Sequence, residues 1–446
     1  MSSLRIIDGT YPALAAALLG DNETERCAIG YAQYDPGVDA WLLAEATPVE
    51  DGAYAGRDAV SASLKSGVLV DVANRSQLSG LSPIFIHTHP FALGIPQFST
   101  IDDAGEAEIK RYLDRRAPRA EPLAMVIGPD GASARRLGQG AAVPIWEIGS
   151  HLRLLSEAGQ GEDAQERHDR QIRAFGAEGQ RNISRLKILV VGAGGTGTAS
   201  IQQLAHLGVF DFTFIDPNTV EATNLNRLIG ATPADIGRPK VEIAARLVTA
   251  INPGSPVTSI VGDIVDETQA RALGGFDFIF LCTDSHASRA VVGQAAYQFL
   301  VPVIDMGVSI TVAQGKVTHI TGRVQMLAPG LPCLSCTRAL DGEQIRREML
   351  TPEQRAADPY IIGGHAPQPA VVSINTAMAS LAVTMFLGAV THIPAQARFQ
   401  MYDGLRGSVR PTTATTRADC IVCSPSGALA KGIGWGLPVR PIRDAS

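Results

Sequence analysis

Four of the six cysteines form two Cys-x2-Cys pairs that are separated by 83 residues. They are Cys333, Cys336, Cys420 and Cys423. Two such pairs can place four thiolates around one tetrahedral Zn²⁺, and a shell closed by four protein ligands leaves no position for a substrate. The pattern therefore predicts a structural zinc site, with a pair of redox-active motifs as the alternative. Cys27 and Cys282 lie in apolar segments and are predicted to be small buried side chains.

A second pattern of metal-ligand type lies nearer the N-terminus. His87 and His89 fall at the end of the apolar segment Pro83–His89, which is predicted to be a strand. Side chains two positions apart on a strand point to the same face, so both imidazoles can reach one ion. Asp102 follows after a loop, and two histidines with one carboxylate leave a fourth position for water, as catalytic zinc requires. Asp103 is the alternative carboxylate, and two surface histidines without a metal remain the alternative interpretation.

A glycine-rich turn, Gly192–Gly197, follows a buried apolar run and precedes a helical pattern. Glycines let the backbone approach a phosphate closely, and the N-terminus of a helix adds N–H donors and partial positive charge. The expected phosphate-binding residues are Gly192, Gly194, Gly195 and Gly197. Asp216 ends the next predicted strand and is a candidate for binding ribose hydroxyls. Taken alone, this pattern fits an NAD-dependent dehydrogenase equally well.

The residues after Asp216 point away from a dehydrogenase. Arg227, in the segment Asn224–Arg227, and Lys240 place two cations soon after the ribose carboxylate. Asp284 ends another buried strand, where a carboxylate can hold Mg²⁺ together with substrate phosphates. Attack on the α-phosphate of ATP needs cations and a metal because charge develops on the leaving pyrophosphate, whereas hydride transfer needs neither.

The elements that must position these residues fall on either side of the polar segment Ser156–Arg167. After it, apolar runs alternate with helical patterns, which predicts the βαβ units of a doubly wound parallel sheet. Before it, several strands and a helix are predicted. We therefore expect an α/β protein with a first domain at 1–150, a linker at 151–166 and a second domain at 167–446.

Composition and charge narrow the functional class. The chain has 446 residues, 45% apolar and 18% charged, which excludes a wholly disordered protein. The net charge of −6 and the lack of a basic face argue against nucleic-acid binding. Six cysteines are too few for a disulfide scaffold. The uncharged run Ala370–Val390 is predicted to be a buried core helix rather than a membrane span, and no signal peptide is recognised, so we expect a cytoplasmic protein.

From Arg167 to about Cys423 the sequence resembles the ThiF/MoeB/HesA family of ubiquitin-activating-enzyme-like adenylyltransferases. The motifs that carry the resemblance are Arg167–Gln171, Phe175–Gln180, the glycine turn, Asn224–Arg227, Lys240, Cys282–Asp284 and Arg289. The resemblance implies a Rossmann-like domain that uses ATP and magnesium to adenylate the C-terminal glycine of a ubiquitin-like or sulfur-carrier protein. It also implies the roles of individual residues: ribose binding by Asp216, nucleotide binding by Asn224, phosphate binding by Arg227 and Lys240, magnesium binding by Asp284, and Arg170 reaching into the partner subunit of a homodimer. Ser285 stands where asparagine is common in the family.

The N-terminal pattern resembles the JAB/MPN (JAMM) metalloprotease family, an α+β domain whose pattern is a distant Glu followed by His-x-His-Pro and Ser-x-x-Asp. The resemblance implies that His87, His89 and Asp102 bind a catalytic zinc, that Glu25 is the general base and that Ser99 stabilises the oxyanion. Glu25 is placed at the start of the first core strand, with Glu45 as the rival base. Eight residues, Phe91–Phe98, separate Pro90 from Ser99, two more than the commonest spacing.

Many relatives of the second domain carry a catalytic cysteine in the crossover segment, yet Thr337–Asp419 contains none. His365 is the histidine near the middle of that segment and is interpreted as polar surface. We therefore expect adenylation without a thioester on this chain, combined with zinc-dependent processing or removal of the modifier. The alternatives are an NAD- or other nucleotide-binding protein with an N-terminal interaction module, and adenylation of a non-protein carboxylate.

Overall fold

The computed structural model describes residues 2–20, 23–156, 166–351, 354 and 369–440, and it divides into two compact units. The N-terminal unit comprises Met1–Gln160 and Ala430–Trp435, and the C-terminal unit comprises Gly161–Leu429 and Gly436–Ser446. A short segment from the far end of the chain therefore belongs to the N-terminal unit, whereas the sequence suggested a single boundary.

The N-terminal unit contains both strands and helices along its described length. Its strands are β1 (Ser3–Ile7), β2 (Cys27–Asp35), β3 (Ala40–Pro48), β4 (Tyr54–Arg57), β5 (Ala62–Leu64), β6 (Ser82–Thr88), β7 (Leu123–Ile127), β8 (Ala132–Arg136), β9 (Ile145–Ile148) and β10 (Leu152–Leu154). Its helices are α1 (Thr10–Leu18), α2 (Ser66–Ser79) and α3 (Thr100–Arg116).

Eight of these strands form one mixed sheet in the order β10-β9-β1-β3-β2-β6-β7-β8. The sequence interpretation missed β1, so the placement of Glu25 at the first core strand is wrong: Glu25 precedes the second strand. Strand β6 ends at Thr88, one residue before His89. Strand β10 lies inside the predicted linker 151–166, while residues 157–165 lie outside the described part of the chain. Strand β1 leaves little local signal, because two of its four buried residues, Ser3 and Arg5, are polar and the segment is short.

The C-terminal unit alternates strands with helices over most of its length. Its strands are β11 (Lys187–Val191), β12 (Asp211–Ile215), β13 (Val257–Ile260), β14 (Phe278–Leu281), β15 (Val303–Ala313), β16 (Lys316–Leu327), β17 (Phe399–Asp403) and β18 (Ser408–Pro411). Its helices are α4 (Asp169–Arg185), α5 (Gly195–His206), α6 (Lys240–Ile251), α7 (Glu267–Arg271), α8 (His286–Gln298), α9 (Gly342–Glu348) and α10 (Val372–Val390).

The second sheet runs β13-β12-β11-β14-β15-β16-β17-β18. Strands β11 to β15 pair in parallel, and β16 to β18 extend the sheet in antiparallel fashion. The chain order reverses between β11 and β14, which both lie in the middle. In such sheets ligands bind in the crevice at the carboxyl ends of the strands on either side of this switch point. The doubly wound arrangement is the predicted one, and the antiparallel extension is an addition to it.

Helix α10 covers the uncharged run singled out in the sequence. By length and composition it could cross a membrane, and half of its most apolar window is buried inside the protein. Phe386 is fully buried, with its ring centroid 5.0 Å from that of Phe278 and 5.6 Å from that of Phe280, both on β14. The helix therefore packs on the sheet as the core helix that the sequence predicted.

Replacing Phe386 with alanine is expected to lower the free energy of unfolding of the C-terminal unit by about 3–5 kcal/mol, because it leaves a cavity between α10 and β14. Denaturant titration measures the change. Val372→Ala, in the first turn of the same helix and 41% exposed, serves as the matched control and should cost under about 1 kcal/mol. An equal loss in both variants would contradict the packing described here.

Candidate nucleotide and metal sites

The glycine turn joins β11 to α5 and depends on close backbone contacts. A Cβ at Gly197 would overlap the carbonyl oxygen of Gly192, so only glycine fits there. Gly192 has a φ of +92°, and a Cβ on it would lie 2.9 Å from the carbonyl oxygen of Cys282. The turn therefore lies against the end of β14, next to Thr283 and Asp284. The free N–H groups at the start of α5 and the Asp284 carboxylate come to the same sheet edge.

Asp216 holds the glycine turn through its carboxylate. It is 5% exposed, and its Oδ2 accepts a hydrogen bond from the Ala193 N–H at 2.8 Å. Its Oδ1 accepts from the N–H of Asn218, whose carbonyl in turn accepts from the N–H of Lys240. The predicted ribose carboxylate thus connects the glycine turn to Lys240, which begins α6. Any ribose hydroxyl must use the remaining lone pairs of Asp216.

Arg227 lies beside the glycine turn, since a Cβ at Gly195 would be 3.4 Å from Arg227 Cγ. Its guanidinium donates to the carbonyl oxygen of Thr223 at 2.7 Å. Asn224 is buried, and its Oδ1 accepts from the Glu221 N–H, so it holds the loop that carries Arg227. The role of Asn224 in nucleotide binding stays a prediction.

Asn375, which the sequence motifs did not single out, is a buried polar side chain in the first turn of α10. Its Nδ2 occupies the space that a Cβ on Gly195 would need, so it lies directly against the glycine turn. An asparagine within an otherwise apolar run was the available signal, because a buried amide needs polar partners.

Asp284 is exposed, and the residues directly before and after it in the chain are held by hydrogen bonds. The N–H of Ser285 donates to Thr283 Oγ1 at 3.1 Å, and Ser285 Oγ accepts from the Ser288 N–H as the N-cap of α8. Ser285 Oγ also donates to Glu348 Oε2 at 2.7 Å, and that oxygen accepts from the Ala287 N–H. Ser285, which stands where asparagine is common in the family, is therefore held by a carboxylate from α9. The spacing of residues in the sequence does not reveal this contact.

Arg289 belongs to a buried ion-pair group next to Asp284. Its Nε donates to Asp305 Oδ1 at 3.0 Å, and Arg323 Nη2 donates to Asp305 Oδ2 at 2.5 Å. Asp305 is completely buried, which is tolerable because each oxygen has a guanidinium partner. Arg289 also donates to the carbonyl oxygen of Asp284, so the group stiffens the turn that presents the candidate magnesium ligand.

Two further residues singled out in the sequence are Arg170 and His365. Arg170 is exposed in the first turn of α4, and its role in a partner subunit stays a prediction. His365 lies outside the described residues.

The N-terminal unit brings His87, His89 and Asp102 together. The two Nε2 atoms are 3.3 Å apart, Asp102 Oδ1 is 3.1 Å from His87 Nε2, and Asp102 Oδ2 is 3.5 Å from His89 Nε2. One ligand atom from each residue lies within 4.8 Å of the others, a donor set that fits zinc. Asp103 points away and pairs with Arg135, so the geometry selects Asp102.

The environment of this cluster favours an ionised Asp102 beside a protonated or metal-bound His89. Burial alone would raise the pKa of Asp102, but hydrogen bonds from His87 and His89 hold that pKa well below its usual range. The hydrogen bond to Asp102 raises the pKa of His89, against the opposing effect of burial. A cation of charge two satisfies the same oxygen and nitrogen atoms.

Glu25 is the carboxylate next to the cluster. It is 4% exposed, and its Oε1 lies 3.6 Å from His89 Nε2. Burial raises the pKa of Glu25, and the two histidines oppose this rise. The rival Glu45, on β3, instead pairs with Arg75 and has a half-exposed side chain. The geometry therefore favours Glu25 as the base.

Ser99 begins α3 and forms a reciprocal capping pair with Asp102. Its N–H and hydroxyl both donate to Asp102 Oδ2, at 2.6 and 2.8 Å, and its Oγ accepts from the Asp102 N–H. The longer loop before it is anchored on the β7–β8 hairpin, because Gly94 N donates to Asp130 and Ser133 Oγ donates to the Pro96 carbonyl oxygen. These two hydrogen bonds hold the loop that leads to Ser99.

The four paired cysteines also converge. The Sγ atoms of Cys333 and Cys420 are 3.5 Å apart, and those of Cys336 and Cys423 are 3.6 Å apart. These distances are far longer than a disulfide bond and close to the edge of roughly 3.8 Å that Zn–S bonds of about 2.3 Å give a tetrahedron. A hydrogen bond from Cys423 lowers the pKa of Cys333 to about 5. The same hydrogen bond raises the pKa of Cys423, and burial raises that of Cys336, so these thiols must lose their protons when a zinc ion binds.

Residues 168–422, more than half of the chain, match the model of the ThiF family. The chain belongs to the ThiF family. Its Rossmann-like α/β domain is in the C-terminal unit; the part of the N-terminal unit up to residue 160 precedes the matched region, and its segment Ala430–Trp435 follows it.

Two curated relatives of this ThiF-family chain are named adenylyltransferases. It is 31% identical to the molybdopterin-synthase adenylyltransferase of Salmonella typhimurium, over 58% of this chain and 95% of that protein. It is 27% identical to the sulfur carrier protein adenylyltransferase of Thermus thermophilus, over 56% of this chain and 86% of that protein. The crystal structure of E. coli MccB with AMPCPP and MccA is 18% identical, with a TM-score of 0.47, over 58% of this chain and 75% of that chain.

Metal analysis of the purified chain is expected to give about two zinc ions, one in each cluster, since both donor sets fit this ion. His87→Ala and Cys420→Ser should each reduce the content to about one. Elemental analysis after dialysis measures the ratio. A wild-type content of one, unchanged by one of the two substitutions, would remove the corresponding site.

Proposed function

We propose that the C-terminal unit uses ATP and Mg²⁺ to adenylate the C-terminal glycine of a ubiquitin-like or sulfur-carrier protein. Family membership and the named activities of the relatives support this proposal. The observation that carries it is the contact of Gly192 with the end of β14, which brings the start of α5 and Asp284 to one edge of the sheet. Phosphate donors and a magnesium ligand must meet in this way for attack on an α-phosphate.

In this proposal each residue has a distinct task. The N–H groups at the start of α5 hold the phosphates, and Asp216 keeps the turn in place while accepting from the ribose. Arg227 and Lys240 neutralise the triphosphate and the departing pyrophosphate. Magnesium, when bound by Asp284, would supply further charge neutralisation at the phosphates. Arg170 of one subunit completes the nucleotide site of the other subunit in a homodimer.

The acyl-adenylate is proposed to pass directly to an external sulfur donor or nucleophile. Cys27 and Cys282 are buried, and burial raises the pKa of each to about 12, so neither is a nucleophile at neutral pH. The other four cysteines belong to the proposed structural zinc site. With no cysteine in Thr337–Asp419, this chain has no crossover thiol to acylate.

We further propose that the N-terminal unit is a zinc-dependent peptidase or isopeptidase that processes or removes the same modifier. His87, His89 and Asp102 would hold the zinc, whose role is to acidify a water and polarise the scissile carbonyl. Glu25, 3.6 Å from His89, would act as the general base and then protonate the leaving amine. Ser99 holds Asp102 in position, and its hydroxyl is the candidate donor to the oxyanion.

Asp284→Ala is expected to lower ATP–pyrophosphate exchange, measured with a candidate carrier protein that ends in Gly-Gly, by about 10²-fold or more, because the variant loses its magnesium ligand. Asp211→Ala is the control, since Asp211 begins β12 at the opposite, amino edge of the sheet. Retained exchange in the first variant would refute the assigned role. Competition between ATP and NAD for the wild-type protein separates the proposal from the dehydrogenase alternative.

Glu25→Gln is expected to reduce cleavage of a modifier–peptide fusion by about 10²–10⁴-fold, because the amide cannot accept a proton. The same variant should leave ATP–pyrophosphate exchange unchanged, since Glu25 belongs to the other unit. Glu45→Gln is the control and should cleave normally. Loss of cleavage in Glu45→Gln with retention in Glu25→Gln would reverse the assignment, and retention in both would contradict a peptidase that uses either base.

A further inference from the structure

Arg135, on β8, joins the first two turns of α3 to the sheet. Its Nε lies 3.1 and 3.2 Å from the two carboxylate oxygens of Glu106, and its Nη2 donates to Glu106 Oε1 at 2.8 Å and to Asp103 Oδ1 at 2.7 Å. The Arg135 side chain is 11% exposed and that of Glu106 is 7% exposed. Glu106 Oε2 also accepts from the N–H of Gly138, so its charge is fully compensated.

The two carboxylates bound by Arg135 both follow the candidate zinc ligand Asp102, within the first two turns of α3. Asp103 follows Asp102 directly, and Glu106 lies four residues on, one turn below Asp102 on the same side of the helix. Because Arg135 holds Asp103 and Glu106 against β8, it restricts the rotation of α3 about its axis. It also restricts the position along that axis of the turn that carries Asp102.

The same guanidinium also reaches the histidine side of the cluster. Its Cζ lies 4.0 Å from the centroid of the Phe98 ring, a stacking distance at which a cation is attracted to the ring face. The Phe98 ring centroid is in turn 6.1 Å from that of His87. One side chain thus contacts the helix of Asp102 and the aromatic ring that lies against His87.

We propose that Arg135 is a positioning residue for the zinc cluster, which sets the distance between Asp102 and the two histidines. The proposal rests on the zinc site proposed above for the N-terminal unit. Side chains that orient metal ligands through such indirect contacts change metal affinity by about 10–100-fold when they are replaced. Arginine suits this place because its planar fork binds two carboxylates and stacks on a ring at once, which lysine cannot do.

Arg136 offers a matched control in the adjacent position. It points to the other face of β8, and it also pairs with two carboxylates, Asp39 and Glu121. Both residues are therefore arginines on β8 that pair with two carboxylates, and they differ in the face of the sheet to which they point.

The test compares zinc affinity in Arg135→Lys and Arg136→Lys by competition with a chelator, in the full-length chain. We expect Arg135→Lys to raise the Kd of one of the two bound zinc ions about 10–100-fold and to leave the other, held by cysteines, unchanged. Arg136→Lys should leave both affinities unchanged. Equal weakening in both variants, or no change in Arg135→Lys, would overturn the proposal.

Two further measurements keep the outcome decisive. If Arg135→Lys loses its fold by circular dichroism, Asp103→Ala replaces it, because that variant removes the contact of Arg135 with Asp103 at an exposed position and retains the pair with Glu106. It should weaken the same zinc ion by a smaller factor, and an unchanged affinity would overturn the proposal. If His87→Ala leaves the zinc content of the wild type unchanged, the zinc site itself fails, which is a different result from a site that binds zinc but ignores Arg135.

Discussion

The first N–H groups of a helix have no partner within the helix, and this constraint underlies most of the geometry of both candidate sites. In the N-terminal unit, Ser99 and Asp102 satisfy the start of α3, and the same Asp102 oxygens then face the histidines. In the C-terminal unit the start of α5 is left open by the glycine turn, where a phosphate can satisfy it. A capping side chain and a bound ligand are thus two alternative sources of acceptors for the first N–H groups of a helix.

At the start of α8, the N–H groups have acceptors of a third kind. Ser285 caps this helix, and Glu348 from α9 accepts from both the Ser285 hydroxyl and the Ala287 N–H. The negative charge favours the positive end of the helix dipole. Asp284 lies directly before this cap, which is held by a residue more than sixty positions further along the chain.

Buried carboxylates that are paired with arginines hold the elements near these helix starts in position. Asp305 binds Arg289 and Arg323 beside the nucleotide edge, and Glu106 binds Arg135 beside the histidines. Such pairs contribute little net stability, because desolvation cancels much of the attraction, but removing one partner is costly. Their value here is geometric, since a guanidinium between two elements permits few relative positions.

The amino-acid sequence by itself determined the residue types that can do chemistry and their order. Cys-x2-Cys pairs, His87 and His89 and the glycine turn were recognisable because local spacing fixes which side chains share a turn or a strand face. The alternation of apolar runs also gave the doubly wound sheet, because buried parallel strands and their helices leave a local pattern. Those features depend on neighbours within a few residues.

Only the tertiary structure decided between equivalent candidates. Glu25 and Glu45 are both acidic residues near a strand, and only folding shows that Glu45 pairs with Arg75 while Glu25 lies by His89. Likewise Asp102 and Asp103 are adjacent, and α3 turns one to the histidines and the other to Arg135. Asn375 and Glu348 reach their sites from distant helices, which no local pattern encodes, because long-range contacts are fixed by packing rather than by sequence spacing.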